Sequence, residues 1–239
     1  MMDRMSSPEV VLKAKQLSKV VSSPEGPLVI LDHVSLSIRQ GESIAVVGVS
    51  GAGKSTLLGL LAGLDVPSSG EVWLENQELS GLDEDGRAAL RADHVGFVFQ
   101  SFHLIPSLTA LENVMLPLEL GRHASARSTA METLEKVGLA PRAGHYPRQL
   151  SGGEKQRVAI ARAFVVTPKV LFADEPTGNL DHRTGKIIID LLFRLNRETG
   201  TTLLLVSHDL QLAQRCDRIL HMDAGRITHE ESPMRGADT

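Results

Sequence analysis

The stretch SIAVVGVSGAGKSTLLGLL, residues 43–61, joins a continuous apolar run to a glycine-rich loop and then to a helix-compatible segment. Residues 48–55 match G-x-x-x-x-G-K-[ST], the pattern of a phosphate-binding P-loop. Glycines allow backbone N–H groups to turn towards phosphate oxygens, and the N-terminus of the following helix adds its positive dipole end. A strand, this loop and a helix in that order predict a nucleotide site at the edge of an α/β sheet.

The loop motif also assigns individual ligands to a triphosphate. Lys54 is expected to reach the β- and γ-phosphates and to act in catalysis, and the Ser55 hydroxyl is expected to ligate Mg²⁺. The predicted ATP-binding residues are Gly48, Val49, Ser50, Gly51, Ala52, Gly53, Lys54, Ser55 and Thr56.

A second apolar run, at residues 170–173, ends in the acids Asp174 and Glu175. Such a strand delivers acidic side chains to the edge of the sheet at which α/β proteins bind ligands. We expect Asp174 to hold Mg²⁺, directly or through water, and Glu175 to orient and deprotonate an attacking water. Two adjacent acids project differently where a strand ends, so they can take separate roles.

The rest of the chain alternates between strand-like and helix-like segments, which predicts an α/β fold with a largely parallel sheet. The predicted strands are residues 33–38, 43–49, 71–74, 95–99, 170–173 and 201–206, with a hairpin at 218–222 and 226–228. The predicted helices are residues 54–61, 124–137, 151–166, 184–197 and 210–216. The mostly helical middle of the chain indicates an inserted subdomain.

Composition excludes several classes of protein. The chain has 239 residues, 42% of them hydrophobic, so it has enough apolar material for a core. A net charge of −4 disfavours binding to nucleic acid through bulk charge. Cys216 is the only cysteine, which rules out an intrachain disulfide and predicts a small buried residue. No run reaches the approximately 18 apolar residues that a membrane span needs, and a cytoplasmic location is expected.

The segment LSGGEKQR, residues 150–157, resembles the signature of ABC ATPases. The resemblance covers residues 10–227, with the family motifs in the family order. Gln100 resembles the Q-loop glutamine, His208 the switch histidine, and Asn179, Leu180 and Asp181 the D-loop. It implies one ATP-binding domain over residues 1–239. The nucleotide-binding core, with an N-terminal antiparallel β part, would be formed by residues 1–100 and 168–228. The helical signature subdomain would be residues 101–167. The ends, residues 1–9 and 229–239, would be flexible.

The resemblance also implies a mechanism that one chain cannot complete. In the family, two domains meet head to tail as a homodimer with two ATP molecules between them. Ser151, Gly152, Gly153 and Glu154 would then face the ATP bound by the opposite P-loop. Gln100 and His208 would join Glu175 in catalysis, and Gln100 would also ligate Mg²⁺.

Within the family, residues 97–106, 111–114 and 172–181 resemble the lipoprotein-release and macrolide-exporter (LolD/MacB) group, and most of all YbbA-like ATPases. That group implies a membrane permease with a large periplasmic domain, and hydrophobic or amphiphilic substrates. The chain would lie on the cytoplasmic face of the inner membrane. Residues 102–118 would form the docking surface, although their apolar side chains are equally typical of a core. They include Phe102, Leu104, Ile105, Leu108 and Leu111.

Two other functions are compatible with the same motifs. An FtsE-like ATPase would use the same cycle to move the extracytoplasmic domain of a partner without transport. A DNA-repair ATPase shares the signature, but such chains are usually interrupted by coiled coils or zinc modules, and only 49 residues separate Gln100 from Leu150 here.

Two local expectations remain. The family usually places an aromatic residue before the P-loop to stack on adenine, whereas no Phe, Tyr or Trp precedes Trp73 in this chain. We therefore expect weak contact with the base, against Val20 or Val21, and a relaxed choice of nucleotide. The arginines around the signature are expected to form a solvated face: Arg142, Arg148, Arg157 and Arg162.

Overall fold

Ten strands form two sheets within residues 9–233, the part of the chain that this computed structural model describes. They are β1 (Val10–Ser23), β2 (Gly26–Arg39), β3 (Ser43–Gly48), β4 (Ser69–Leu74), β5 (Gln77–Glu78), β6 (Val95–Phe99), β7 (Val170–Asp174), β8 (Thr202–Val206), β9 (Arg218–Asp223) and β10 (Arg226–Glu231). The α-helices of the same residues are α1 (Lys54–Leu61), α2 (Glu84–His94), α3 (Ala110–Leu120), α4 (Ala126–Lys136), α5 (Gly152–Phe164), α6 (His182–Thr199) and α7 (Leu210–Ala213).

The order of the strands brings the predicted motifs to one edge. The first sheet is antiparallel, in the order β2–β1–β4–β5. The second has the order β10–β9–β3–β8–β7–β6 and is parallel except for the β9–β10 hairpin. Because β3, β8, β7 and β6 are parallel neighbours, their carboxyl ends lie at the same edge. The P-loop, His208, Glu175 and Gln100 follow those strands and therefore lie at that edge.

Side chains of the second sheet alternate between two apolar cores. In β8, Leu203 and Leu205 pack in the core shared with helices α3 to α6, whereas Leu204 and Val206 pack in the core shared with α1 and the antiparallel sheet. This alternation follows from the two-residue period of a strand. Burial of both faces also explains why the sequence shows these strands as continuous apolar runs.

Helix α5 connects the helical part of the chain to the sheet. It packs against α3 and α4 on one side and against β6 and α6 on another. Both α3 and α5 begin at capping boxes, formed by Thr109 with Glu112 and by Ser151 with Glu154. Each box supplies partners to N–H groups that have none within the helix, so the start of α5 is fixed at Ser151.

The expected fold class is confirmed: a mainly parallel core sheet, an N-terminal antiparallel β part and inserted helices. The sequence analysis gave no individual prediction for β1, β5, α2 or α3. Residues 229–231 belong to β10, paired with β9, so the prediction of a flexible end is wrong for them. Residues 1–8 and 234–239 lie outside the described residues. The boundaries of core and subdomain at residues 100 and 168 stay a prediction.

Candidate nucleotide-binding site

The residues that connect β3 to α1 form one wall of a cavity of about 440 Å³. The cavity is lined by Ile30, Gly48, Ser50, Gly51, Gly53, Lys54, Ser55, Thr56, Glu175 and His208. Val49 and Ala52 belong to the predicted ATP-binding residues but do not line the cavity. Ala52 is buried, and the Val49 side chain is 67% exposed to solvent. The cavity has the size range of a small-molecule site.

Glycine is required at Gly53 for two reasons. Its φ of 95° lies in the left-handed region, which other residues rarely adopt. A Cβ there would also lie 2.8 Å from the carbonyl oxygen of Ile30 and 2.8 Å from Cδ2 of Leu31. Strand β2 therefore packs directly against the P-loop, immediately before α1 begins.

Lys54 is held inside the loop that it follows. Its Nζ donates hydrogen bonds of 2.9 Å to the carbonyl oxygens of Gly48 and Val49, and the residue is buried. A lysine ammonium has three donors, so one N–H remains for a phosphate oxygen. The loop thus positions a cation beside the N-terminus of α1, where an anion is favoured.

Two oxygen donors, one on helix α1 and one at the end of β7, meet beside the P-loop. Asp174 ends β7, and its carboxylate accepts a hydrogen bond from the Ser55 side chain. Burial raises the pKa of Asp174, and the Glu175 charge raises it further, against the opposing effect of Ser55 and Lys54. A hydroxyl and a carboxylate are ligands that suit Mg²⁺, which takes its remaining ligands from water and phosphate. These residues fit that ion, whose charge would offset the cost of burying an ionised carboxylate.

Glu175 and His208 also line the cavity. Glu175 Oε1 lies 3.4 Å from His208 Nδ1. The φ of Glu175 is 46°, and its backbone N–H donates to the Val206 carbonyl at 3.0 Å. Left-handed backbone outside glycine is a feature that clusters at functional sites. The acid is therefore held by β8, the strand that lies between β3 and β7.

The signature residues lie apart from this cavity, at the start of α5. Ser151 Oγ accepts from the Glu154 N–H, and Glu154 Oε2 accepts from the Ser151 N–H at 2.8 Å. This backbone hydrogen bond lowers the pKa of Glu154, with a smaller effect from Arg142, whose Nε lies 3.2 Å from Glu154 Oε1. None of residues 151–154 lines the P-loop cavity. One chain therefore presents the P-loop and the signature at separate places.

The signature glycines pack against the D-loop of the same chain. A Cβ on Gly152 would lie 3.2 Å from Leu180 Cδ2, and one on Gly153 would lie 2.5 Å from Thr184 Cγ2. Asp181 caps α6 by accepting a hydrogen bond of 3.0 Å from the Thr184 N–H. The glycines thus allow the start of α6 to approach α5 closely.

Gln100 also contacts the D-loop and does not line the cavity. Its Nε2 donates to Asn179 Oδ1 at 3.2 Å, and Asn179 Nδ2 donates to the Gln100 carbonyl at 3.0 Å. A Cβ on Gly178 would lie 2.7 Å from Gln100 Nε2, so glycine is needed there for this pair. In this structure the Gln100 side chain is hydrogen-bonded to Asn179 and does not line the cavity, so the contact of Gln100 with Mg²⁺ stays a prediction.

The model of the ABC transporter family matches residues 31–178. The chain belongs to that family. The ABC transporter ATP-binding protein YbbA of Escherichia coli (strain K12) is 59% identical over 224 residues, which cover 93% of this chain and 98% of YbbA. The lipoprotein-releasing system ATP-binding protein LolD of Pseudomonas syringae pv. tomato is 51% identical over 225 residues, which cover 92% and 98%. A dimeric structure of the cassette MJ0796 in a post-hydrolysis state with ADP and Pi has a TM-score of 0.87, with 42% identity over 94% of this chain and 99% of that chain.

The protein is thus an ABC-type ATPase and the ATP-binding subunit of an ABC transporter. The resemblance to YbbA and LolD is confirmed. Within residues 9–233, no helix of this ABC subunit has both the length and the apolar character of a membrane span.

The segment that the sequence analysis assigned to docking is divided between core and surface. Of the two expectations for Leu111, docking surface or core, the structure bears out the core: Leu111 is buried, as are Val114 and Leu118, because this face of α3 packs against the helical core. Ile105 is 37% exposed, and Phe102 is half-buried. The exposed apolar surface of the ABC subunit in this region therefore precedes α3.

Asn113 fixes that exposed turn and was missed by sequence reasoning. It is completely buried, and its Oδ1 accepts from the Ile105 N–H at 2.8 Å. Its Nδ2 donates to the carbonyl groups of Ile105, Leu108 and Thr109. A buried amide with all these partners holds the turn in one conformation. The sequence signal that could have found it is the capping-box spacing of Thr109 and Glu112, which marks the start of α3 and places Asn113 on the apolar face of that helix.

The solvated arginine face that the sequence analysis predicted is wrong for Arg162. This side chain of the ABC subunit is half-buried, and burial lowers its pKa. Its NH1 donates to the His103 carbonyl at 2.6 Å and its NH2 to the Phe102 carbonyl at 3.0 Å. Arg157 also has a buried Nε. The sequence conceals these contacts because they join residues about 60 positions apart.

The expected contact of the base with Val20 or Val21 stays a prediction. Neither valine lines the cavity, whereas Ile30 does, and Val20 pairs instead with Val29 across β1 and β2. No aromatic side chain of the described residues is in the lining. Ile30 was missed because its place beside the P-loop depends on the approach of β2 to Gly53.

Proposed function

We propose that two copies of this subunit close head to tail around two ATP molecules and that this closure drives a membrane permease. The observation that carries the proposal is the separation, within one chain, of the P-loop cavity from the signature at the start of α5. A second copy supplies the missing wall. The dimeric structure of MJ0796 with ADP and Pi is the precedent for such an arrangement.

In the closed dimer, each triphosphate is held by groups from both chains. The P-loop N–H groups and the third N–H of Lys54 bind phosphate oxygens on one side. On the other side, Ser151 and the N–H groups of Gly152 and Gly153 bind the γ-phosphate, with Glu154 fixing the start of α5. A helix N-terminus favours this anion.

Ser55 and Asp174 would hold the Mg²⁺ that accompanies ATP, directly or through water, and Gln100 would be a further ligand. When bound, this ion neutralises charge on the β- and γ-phosphates. Ser55 lines the cavity, and its hydrogen bond with Asp174 joins that carboxylate to the cavity although Asp174 does not itself line it.

Hydrolysis then needs a positioned base and a group that orients it. Glu175 accepts a proton from the attacking water, whose oxygen bonds to the γ-phosphorus as the bond to the β-phosphate oxygen breaks. His208 Nδ1, at 3.4 Å from Glu175 Oε1, orients the carboxylate and the γ-phosphate. The products are ADP and phosphate, and their release reopens the dimer.

The partner in this proposal is an integral membrane permease with a large periplasmic domain. It docks on the exposed part of residues 102–118, next to Gln100, from the cytoplasmic face of the inner membrane. The identity with LolD, named for a lipoprotein-releasing system, favours hydrophobic or amphiphilic substrates. No nucleic acid takes part, in keeping with the net charge of −4.

The test is purification of Glu175→Gln with ATP from native membranes in mild detergent, followed by mass spectrometry of the copurifying proteins. Because removal of a positioned base slows hydrolysis by about 10²–10⁴-fold, the variant should hold ATP and stay closed. The matched control is Glu175→Gln combined with Lys54→Ala, which cannot hold the phosphates. A multi-span protein with a large periplasmic domain, enriched over the control, is expected. A soluble dimer without a membrane protein would contradict transport, and a periplasmic domain that activates another enzyme would indicate the FtsE-like alternative.

A further inference from the structure

The turn that follows Gln100 has an unusual backbone. Phe102 and His103 are consecutive residues with φ values of 39° and 47°, both in the left-handed region. For a residue other than glycine, the left-handed region is populated about tenfold less than the right-handed region, a difference of about 1.4 kcal/mol. Two such residues in a row persist only where their surroundings hold them.

Arg162 on α5 is the group that holds them. Its guanidinium donates to the carbonyl oxygens of both residues, at 3.0 Å to Phe102 and 2.6 Å to His103. Charge-assisted hydrogen bonds from a planar fork to two oxygens have a defined geometry as well as strength. The two carbonyl groups can converge on one guanidinium because the backbone between them is left-handed.

A second residue of α5 holds the beginning of the same turn. Gln156 is completely buried, and its Nε2 donates to the carbonyl oxygens of Phe99 at 3.4 Å and Pro176 at 2.7 Å. Phe99 precedes Gln100, and Pro176 follows Glu175. The helix that begins at the signature therefore contacts the backbone on both sides of Gln100.

The Phe102 side chain adds a contact with the signature itself. A Cβ on Gly152 would lie 4.0 Å from Phe102 Cζ, so the ring is near the first residue of α5. The His103 ring packs on Phe99, with ring centroids 4.8 Å apart. The turn is thus tied to α5 and to the end of β6 at once.

We propose that Arg162 is a positioning residue that clamps Phe102 and His103 in their left-handed conformation and so fixes the Gln100 turn to the signature helix. This inference rests on the proposed function, in which the turn lies beside the docked permease. A displacement of the turn is passed to α5 through the guanidinium. Without the clamp, Phe102 and His103 leave the left-handed conformation, and the turn no longer holds Gln100 in place.

The first measurement is chymotryptic cleavage of the full chain after Phe102, with cleavage after the exposed Leu120, which precedes Gly121, as an internal reference. Cleavage of a locally opened segment follows the population of the open form. Arg162→Ala should raise the rate after Phe102 by about tenfold, the bias of one left-handed residue. Arg194→Ala is the matched control. This arginine also donates to a main-chain carbonyl group, that of Lys136, but does not contact the Gln100 turn.

The decisive variant is Arg162→Ala combined with His103→Gly. Glycine adopts positive φ without a penalty, so it should restore slow cleavage after Phe102 without any guanidinium. His103→Gly alone measures the loss of the contact with Phe99. A simple loss of packing at Arg162 would not be rescued by a glycine on another element. If Arg162→Ala does not fold, Arg162→Lys, which keeps the charge but not the fork, should give an intermediate rate.

ATP turnover by the full chain gives the second measurement. Arg162→Ala should lower kcat about tenfold and leave the KM for ATP within about twofold, because the P-loop does not contact Arg162. The double variant should regain most of this loss. Wild-type cleavage after Phe102 in Arg162→Ala, or failure of His103→Gly to restore it, would overturn the clamp. Failure of the proposed function would appear as unchanged turnover in Glu175→Gln, while the cleavage pattern of the arginine variants stayed as expected.

Discussion

Substitution Gly153→Ala tests why the signature contains glycine. The added Cβ would lie 2.5 Å from Thr184 Cγ2, whereas carbon atoms in contact are about 3.5–4.0 Å apart. The Thr184 side chain or one of the two helices must therefore move by about 1 Å, and overpacking of this kind costs about 1–3 kcal/mol. We expect a fall in Tm of roughly 2–10 °C by differential scanning calorimetry, with loss of ATP turnover because α5 moves away from α6.

Thr184→Ser removes the methyl group that clashes, so Gly153→Ala combined with Thr184→Ser should recover both Tm and turnover. A coupling energy of about 1 kcal/mol or more is expected from the double-mutant cycle. Gly59→Ala is the matched control: this glycine lies in α1, and its Cβ would meet nothing within 4 Å. It should raise stability by about 0.5–1 kcal/mol.

A stable but inactive double variant would refute the reasoning. It would mean that the missing Cβ of Gly153 serves the bound phosphate directly and not the approach of Thr184. The structure predicts the opposite, since that Cβ position faces α6 of the same chain.

Three further predictions concern the cavity. Lys54→Ala should weaken MgATP binding roughly 10–100-fold by calorimetry, which is the effect of one charged hydrogen bond. The control Lys19→Ala removes an ion pair with Asp65 and should leave the affinity unchanged. Equal MgATP affinities of Lys54→Ala and wild type would contradict the assignment of Lys54. Burial raises the pKa of Asp174 above 3.8, so the folded protein binds a proton on this carboxylate more tightly than the unfolded protein does. The protonated carboxyl therefore stabilises the fold at low pH, and this stabilisation falls as pH rises from about 4 through the raised pKa. Asp174→Asn should remove that fall and be more stable than wild type at neutral pH in urea titrations, while it loses turnover. GTP should compete with ATP within about tenfold, since base stacking of about 1–3 kcal/mol is missing beside Ile30, and a stronger preference for ATP would count against this.

The parts of the fold that depend on local pattern could be predicted from the sequence. Helix α1 and strand β6 have the expected bounds, because a P-loop and a buried apolar run each define their own ends. Strand β1 was missed because bulges interrupt its alternation, including one near Gln16, whose φ is 48°. Helix α3 was missed because Pro117 lies inside it, although Thr109 and Glu112 have the spacing of a capping box.

The site divides in the same way. Motif residues could be assigned because their chemistry follows from short spacings, as in the P-loop or in Asp174 with Glu175. Contacts between distant segments could not: nothing near Arg162 in the sequence indicates two carbonyl partners about 60 residues earlier. The glycines of the signature were expected to serve the phosphate, and only the structure shows that Thr184 and Leu180 also exclude larger residues there.

The contact between β2 and the P-loop has a consequence for the order in which the protein is made. Gly225, in the β9–β10 turn, donates to the Ala52 carbonyl at 3.2 Å and accepts from the Asp32 N–H at 3.0 Å. A Cβ on Gly225 would lie 2.5 Å from the Ile30 carbonyl oxygen, so the three segments close on one point. Ala52 is added to the chain 173 residues before Gly225, so the nascent chain has all its motifs before its P-loop is supported. The contacts that join the P-loop to β2 and the last hairpin can therefore form only after synthesis of the hairpin, so this part of the nucleotide site is completed late.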